Sequence, residues 1–271
     1  MRILFLGDLV GRSGRDAVIE RLPELRRQLR TDMVIVNGEN AAGGFGITRK
    51  ICDALFAAGV DAITGGNHSW DQREALAFID GEPRLLRPLN YPAGTPGRGA
   101  HVYAVPGERK VLVINVMGHL FMEPLDEPFA CVERALAKHR LGATVDAIVL
   151  DYHAEATSEK MAVGHVVDGR VSLCVGTHTH VPTADALVLP GGTAYQSDVG
   201  MCGDYDSVIG MEKRPAAERF QKKMRGERLT PANGPASVCG IFVETDDRTG
   251  LAKHAAPLRL GGRLSENLPD F

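Results

Sequence analysis

The stretch 171-VSLCVGTHTHVP-182 runs from a mostly apolar segment straight into two imidazoles two residues apart, His178 and His180. A short apolar run of this kind reads as a strand covered on both faces. The bland reading of the pair that follows is a polar loop, and the chemical reading is a pair of metal ligands. The choice between them depends on whether other strands end in side chains that can share a metal.

Working outward, further apolar runs occur at 2-RILFLG-7, 33-MVIVNG-38, 60-VDAITG-65, 111-VLVINV-116 and 146-DAIVLDY-152. Between them lie segments with helical spacing of apolar residues: 13–30, which opens on a serine cap and contains Pro23 as a kink or break, 48–59, 70–80 and 128–140. Alternating strands and helices predict an α/β fold with a largely parallel centre. The tail 237–260 reads as a hairpin turning at 246-DDRTG-250, so some strands are antiparallel. Segments 81–100 and 183–236, rich in glycine and proline, read as loop. No repeat or linker divides the chain, and residues 1–271 are expected to form a single domain.

The polar residues at the strand exits supply the missing partners. Asp8 follows the first run, Glu39 and Asn40 the second, Asn67 and His68 the third, and His153 the fifth. Ligands of open α/β sheets gather outside the carboxyl ends of strands, so these side chains and the opening pair are expected on one rim. Imidazoles with carboxylate and amide oxygens suit divalent iron, manganese or zinc, and Glu39 has two oxygens with which to bridge. Two metals about 3.5–4 Å apart can clamp the attacking and leaving oxygens of a phosphoryl transfer.

The series 7-GD-8, 38-GEN-40, 66-GNH-68, His153 and 176-GTHTH-180 resembles the calcineurin-like metallophosphoesterases, in order and over most of the chain. Two positions depart from the usual pattern: Val10 stands where a metal-binding histidine is usual, and Glu39 where the bridging residue is usually aspartate. With 65-GGNHSWD-71 and 151-DYHAEATSEK-160, the chain looks like the bacterial 2′,3′-cyclic-nucleotide 2′-phosphodiesterase branch, in which the amide matching Asn40 replaces the missing histidine. The resemblance implies an αββα sandwich with mixed sheets. It also implies two divalent or mixed-valence ions, iron or manganese, with Asp8, Glu39, Asn40 and His180 on one and Glu39, Asn67, His153 and His178 on the other. His68 is implied as the proton donor to the leaving oxygen, and a small cyclic nucleotide as the substrate.

Bulk properties narrow the alternatives. A formal charge of −3 with interspersed charges offers no basic stripe for an extended nucleic-acid surface. The five cysteines are scattered without C-x-x-C spacing, which suits a reducing cytoplasm and excludes a zinc-thiolate site. No run reaches membrane-spanning length. A homo-oligomer is left open. The remaining histidines, His101, His119, His139, His165 and His254, carry no supporting pattern and read as surface or core. Trp70 reads as packing, Glu155 and Glu159 as supporting or helix-start residues, and 43-GGFG-46 and 190–207 as turns or pocket walls. The rival readings are a phosphomonoesterase or nuclease on the same metals, and a metal-held scaffold that regulates a partner.

Overall fold

The computed structural model describes residues 1–223, 226 and 228–270. In chain order the strands are β1 (Arg2–Leu6), β2 (Asp8–Leu9), β3 (Met33–Asn37), β4 (Ala62–Thr64), β5 (Ala100–Val105), β6 (Arg109–Met117), β7 (Ala147–His153), β8 (Leu173–Thr177), β9 (Leu187–Val188), β10 (Ala194–Gln196), β11 (Met201–Asp204), β12 (Ala236–Thr245) and β13 (Ala252–Leu260). The helices are α1 (Gly11–Leu29), α2 (Arg49–Ala58), α3 (Ala75–Phe78), α4 (Pro128–Leu136), α5 (Thr157–Val166) and α6 (Lys213–Lys222).

Successive side chains of a strand point to opposite faces, and this alternation builds the layers. In β1, Leu4 and Leu6 join a core with Val18, Leu22 and Leu25 of α1 and Leu55 of α2. The intervening Ile3 and Phe5 enter a different core, shared with Val113 of β6, Val149 of β7 and Val175 of β8. The opposite faces of those last strands, through Leu112, Ile148 and Leu150, pack on Val132 of α4 and Val163 of α5. Helices therefore cover the outer face of each sheet and the two inner faces meet, giving the αββα sandwich.

The first sheet runs β2-β11-β12-β1-β3-β4 with β13 on β12, and the second β5-β6-β7-β8-β10-β9. Each has a parallel heart, β1–β3–β4 in one and β6–β7–β8–β10 in the other. The hairpin β12–β13 and its pairing with β1 are antiparallel in the first sheet, and β5–β6 and β9–β10 are antiparallel in the second, so both sheets are mixed. Parallel strands end on the same side, and the carboxyl ends of both hearts open onto one rim.

Several expectations need correction. Pro23 neither breaks α1 nor splits it. It lies on the exposed side while Leu22 and Leu25 are buried, and the packing of that face outweighs the roughly 3 kcal/mol cost of an interior proline. Only Ala75–Phe78 of the segment 70–80 is α-helical, followed by a 3₁₀ turn at Ile79–Gly81; residues 70–74 form turns. The supposed loop 183–236 contains β9, β10, β11 and α6, and β5 begins at the end of the supposed loop 81–100. The opening strand ends at Thr177, two residues later than the apolar run suggested. Among the described residues, no helix is long and apolar enough to cross a membrane.

Candidate metal centre

The first sheet contributes Asp8 at the start of β2, one residue past β1, Glu39 and Asn40 beyond β3, and Asn67 and His68 beyond β4. The second contributes His153, the last residue of β7, and His178 and His180 just beyond β8. The parallel register sets Met117, His153 and Thr177 side by side.

These side chains converge. His153 Nε2 lies 2.9 Å from Asn67 Oδ1, 3.2 Å from His178 Nδ1 and 3.3 Å from Glu39 Oε2. His180 Nε2 lies 3.2 Å from Asn40 Oδ1 and 3.9 Å from Asp8 Oδ1. Glu39, His153 and His178 form one group of donor atoms close enough to share an ion, and Asp8, Glu39 and His180 form another, so Glu39 belongs to both. Ligands about 2.1 Å from a metal sit about 3.0–3.4 Å from one another, which is the spacing around His153 Nε2. Asp8 Oδ1 is fully buried with no hydrogen-bond partner, a costly state for a carboxylate oxygen unless a cation meets it. Gly66 keeps the space open: a Cβ there would overlap Glu39 Oε2 and His153 Nε2. The donor set fits divalent metal.

His153 and His180 are each anchored by a hydrogen bond at one nitrogen, which leaves the other turned to the centre. His153 Nδ1 is 2.8 Å from Thr177 Oγ1, whose hydroxyl donates to Asp151 Oδ1 at 2.7 Å. His180 Nδ1 donates to the Ile209 carbonyl at 2.8 Å. His178 Nε2 lies 3.2 Å from Glu155 Oε2. The amide of Asn40 is likewise oriented, its Nδ2 donating to the Gly44 carbonyl.

The His178–His180 turn is strained. Both residues have left-handed φ, 96° and 66°, a conformation that costs on the order of 1–3 kcal/mol per residue. The surrounding structure holds it there. The His178 N–H donates to Asp8 Oδ2, the Thr179 N–H and hydroxyl both donate to Asp198 Oδ2, and Tyr205 donates to the His180 carbonyl. Asp198 is in turn paired with Lys160 Nζ at 2.8 Å, both side chains buried.

Charges crowded without water shift one another. Burial pushes the Asp8 carboxyl well up, with Asp198 and Glu39 adding to the effect against His153. Burial pushes Glu39 the same way, but His153 and His68 outweigh it and hold the carboxyl below the usual range. Burial pulls His153 down, yet Glu39, Asp8 and Asp151 carry it up to about 9. Burial and the neighbouring His153 bring His178 down to about 3, and burial lowers His180.

His68 stands apart from both donor groups. Its N–H donates to Glu39 Oε2 at 3.1 Å, which ties its backbone to the centre. Its Nδ1 is 2.9 Å from Asp71 Oδ2, and its side chain is 27% exposed, so Nε2 is free to meet a substrate. The edge of its ring contacts Phe45 of the glycine-rich loop at 5.1 Å, and Arg228 lies over the Phe45 ring. Gln72 latches that loop through the carbonyls of Ala42 and Phe45, and Gly44 and Gly46 supply its left-handed turns. Trp70 packs edge-on against Tyr91.

Several supporting residues were not picked out by sequence reasoning. Asp151 is fully buried under His153, accepting from Thr64, Thr177 and Asn37. Lys160 and Asp198 brace the histidine turn. Their signal was present in retrospect, as a carboxylate inside the apolar run 146-DAIVLDY-152 and a lysine on the inner side of α5.

The chain is similar to known proteins over most of its length. Residues 4–258 match the pattern of YmdB-like proteins. The chain is 47% identical over 252 residues to the 2′,3′-cyclic-nucleotide 2′-phosphodiesterase of Bacillus subtilis strain 168, covering 93% of this chain and 94% of that protein. The crystal structure of a novel phosphatase from Mycoplasma pneumoniae superposes with a TM-score of 0.89 at 35% identity, over 96% of this chain and 93% of that one. The calcineurin-like phosphoesterase YfkN of Bacillus subtilis shares the fold, with a TM-score of 0.57 at 13% identity over 98% of this chain and 93% of that one. By the span of the family pattern and the identity to these relatives, the chain belongs to the YmdB-like proteins, on the calcineurin-like phosphoesterase fold.

Proposed function

We propose that this protein is a cytoplasmic, dinuclear-metal phosphodiesterase that opens 2′,3′-cyclic nucleotides at O2′ and leaves a 3′-phosphate. The observation that carries the reading is the pair of donor groups sharing Glu39, with Asp8 Oδ1 buried and unmet by any protein donor. The substrate class follows the name of the Bacillus subtilis relative. Five buried free thiols suit a reducing compartment.

Asp8, Glu39, Asn40 and His180 would hold one ion, and Glu39, Asn67, His153 and His178 the other, with iron or manganese favoured by the mixed nitrogen and oxygen donors. When bound, such a pair supplies a hydroxide at neutral pH and neutralises charge on the phosphoryl oxygens. The chain does the rest. Thr177 and Ile209 fix which nitrogen His153 and His180 present. Asp71 holds His68 by Nδ1, so the proton for the leaving oxygen comes from Nε2.

The test is a substrate panel with metal-loaded protein: 2′,3′- and 3′,5′-cyclic nucleotides, a simple diester and a monoester, with metal content measured beside it. The expected result is preferred turnover of the 2′,3′-cyclic nucleotide to the 3′-phosphate. Hydrolysis of the monoester with no diester turnover would overturn the reading in favour of a phosphomonoesterase.

A further inference from the structure

A second cavity, of about 700 Å³, lies between the segment 87–100 and α4 with the residues just after it. Its ionisable lining includes Arg87, Arg98, Arg134, Lys138 and His139, against the single carboxylate of Asp126. Among the described residues none of these five basic groups is in an ion pair, whereas Arg26, Arg109 and Arg170 elsewhere each sit on a carboxylate. Arg87 is only 8% exposed, and its guanidinium donates to the carbonyls of Pro88, Leu89, Thr95, Pro96 and Gly97. It therefore shapes one wall while its charge stays uncancelled. In a chain of net charge −3 this is a local concentration of positive charge.

The rest of the lining is apolar: Leu89, Pro92, Ala93, Ala100 and Ala135, with the Tyr91 ring among them. A small inorganic anion would leave most of that wall uncovered. The volume lies within the range of small-molecule sites, and the lining suits a ligand with an apolar body and one anionic end. Guanidinium and ammonium groups recognise phosphate, and the tyrosine ring, with the Arg87 guanidinium 6.0 Å from its centroid, adds aromatic wall for a base. Tyr91 also stands between this cavity and the metal centre: its ring meets Trp70 at 5.7 Å, and Trp70 lies two residues beyond His68.

We propose that this cavity binds a nucleoside monophosphate, with the phosphate among Arg98, Arg134 and Lys138 and the base against Tyr91 and the apolar wall. The choice of nucleotide rests on the proposed reaction, whose product is of this class; the site itself rests on the cavity and its unpaired cations.

The experiment is calorimetric titration of the metal-loaded full chain with adenosine 3′-monophosphate, and in parallel with inorganic phosphate. The double variant Arg134→Glu/Lys138→Glu should weaken one component of nucleotide binding by about a hundredfold, the loss expected from two charge-assisted contacts. Ala93→Trp, at an exposed position, should remove the same component by filling the cavity without altering charge. Both variants should hydrolyse bis(4-nitrophenyl) phosphate at the wild-type rate, because none of these residues touches the metal centre. Wild-type nucleotide binding in both variants would overturn the proposal, and inorganic phosphate binding there as tightly as the nucleotide would overturn its nucleoside part. Failure of the wild-type protein to cleave 2′,3′-cyclic nucleotides would count against the proposed reaction and leave the binding result standing.

Discussion

Replacing Lys160 by methionine tests how far the histidine turn depends on one buried ion pair. Lys160 and Asp198 are 2% and 1% exposed, and their charged atoms are 2.8 Å apart. Removing one partner of such a pair strands the other and costs about 3–5 kcal/mol. Asp198 would still accept from the Thr179 N–H and hydroxyl and from the Gly200 N–H, so the lower end, about 3 kcal/mol, is expected. An unfolding entropy of about 2.1 cal/mol/K per residue over 271 residues gives about 0.57 kcal/mol/K, hence a fall in Tm of about 5 °C. Because Asp198 also holds Thr179 between the two histidines, metal content should fall with Tm. Calorimetry and elemental analysis on the same preparations read both. The double variant Lys160→Met/Asp198→Asn should recover part of the stability, since it removes the stranded charge and keeps an acceptor oxygen. A single variant within about 1 °C of wild type, or one that loses stability with full metal occupancy, would refute the idea that this pair holds the turn in place.

Gly66→Ala should abolish loading of both metals while far-UV circular dichroism stays native, because the added methyl enters the space beside Glu39 and His153; two metals per chain in this variant would contradict the centre's placement. His68→Ala should retain both metals and lose roughly 10²–10⁴-fold in turnover of a ribose leaving group but much less with nitrophenolate, and equal losses on the two would move His68 from proton donor to phosphate binder. Metal uptake should release protons, because the metal-free chain keeps His153 protonated up to about 9 and Asp8 protonated above its usual range, whereas ligation needs both deprotonated. Apparent affinity should therefore rise with pH and level off near 9, and calorimetry in buffers of different ionisation enthalpy should show the release. In the metal-free protein the same raised His153 stabilises the fold fully below about 6.5, a contribution lost as pH climbs through about 9, so its Tm should drop across that window.

The parallel hearts of both sheets and the converging side chains at their ends were legible because two simple signals coincide there. Continuous apolar runs mark strands buried on both faces, and a polar residue directly after such a run has nowhere to go but the rim. The hairpin β12–β13 was legible from its turn. What stayed hidden was hidden for physical reasons. Helix α5 buries Glu159 and Lys160 on its inner side, so its polar interior erases the apolar stripe that would announce it. Strands β9, β10 and β11 are two to four residues long, too short for any period to register. Residues 70–74 carry helix-forming side chains but serve the turn that presents Asn67 and His68, and tertiary contacts override their propensity. The glycine-rich loop became interpretable only through its neighbours, with Gln72 latching it and Phe45 set against His68.

The place of β1 in its sheet has a consequence for how the chain is made. β1 lies between β3, its parallel neighbour, and β12, its antiparallel one. The first partner follows within a few dozen residues, but β12 starts at Ala236, more than two hundred residues after Leu6, so at about 5–20 residues per second the second edge stays unpaired on the ribosome for roughly 10–50 s. That edge belongs to the apolar sequence RILFL, the kind of strand that pairs readily with other chains. The nascent protein must therefore be shielded over the whole interval, and slower translation between Leu6 and Ala236 lengthens its exposure.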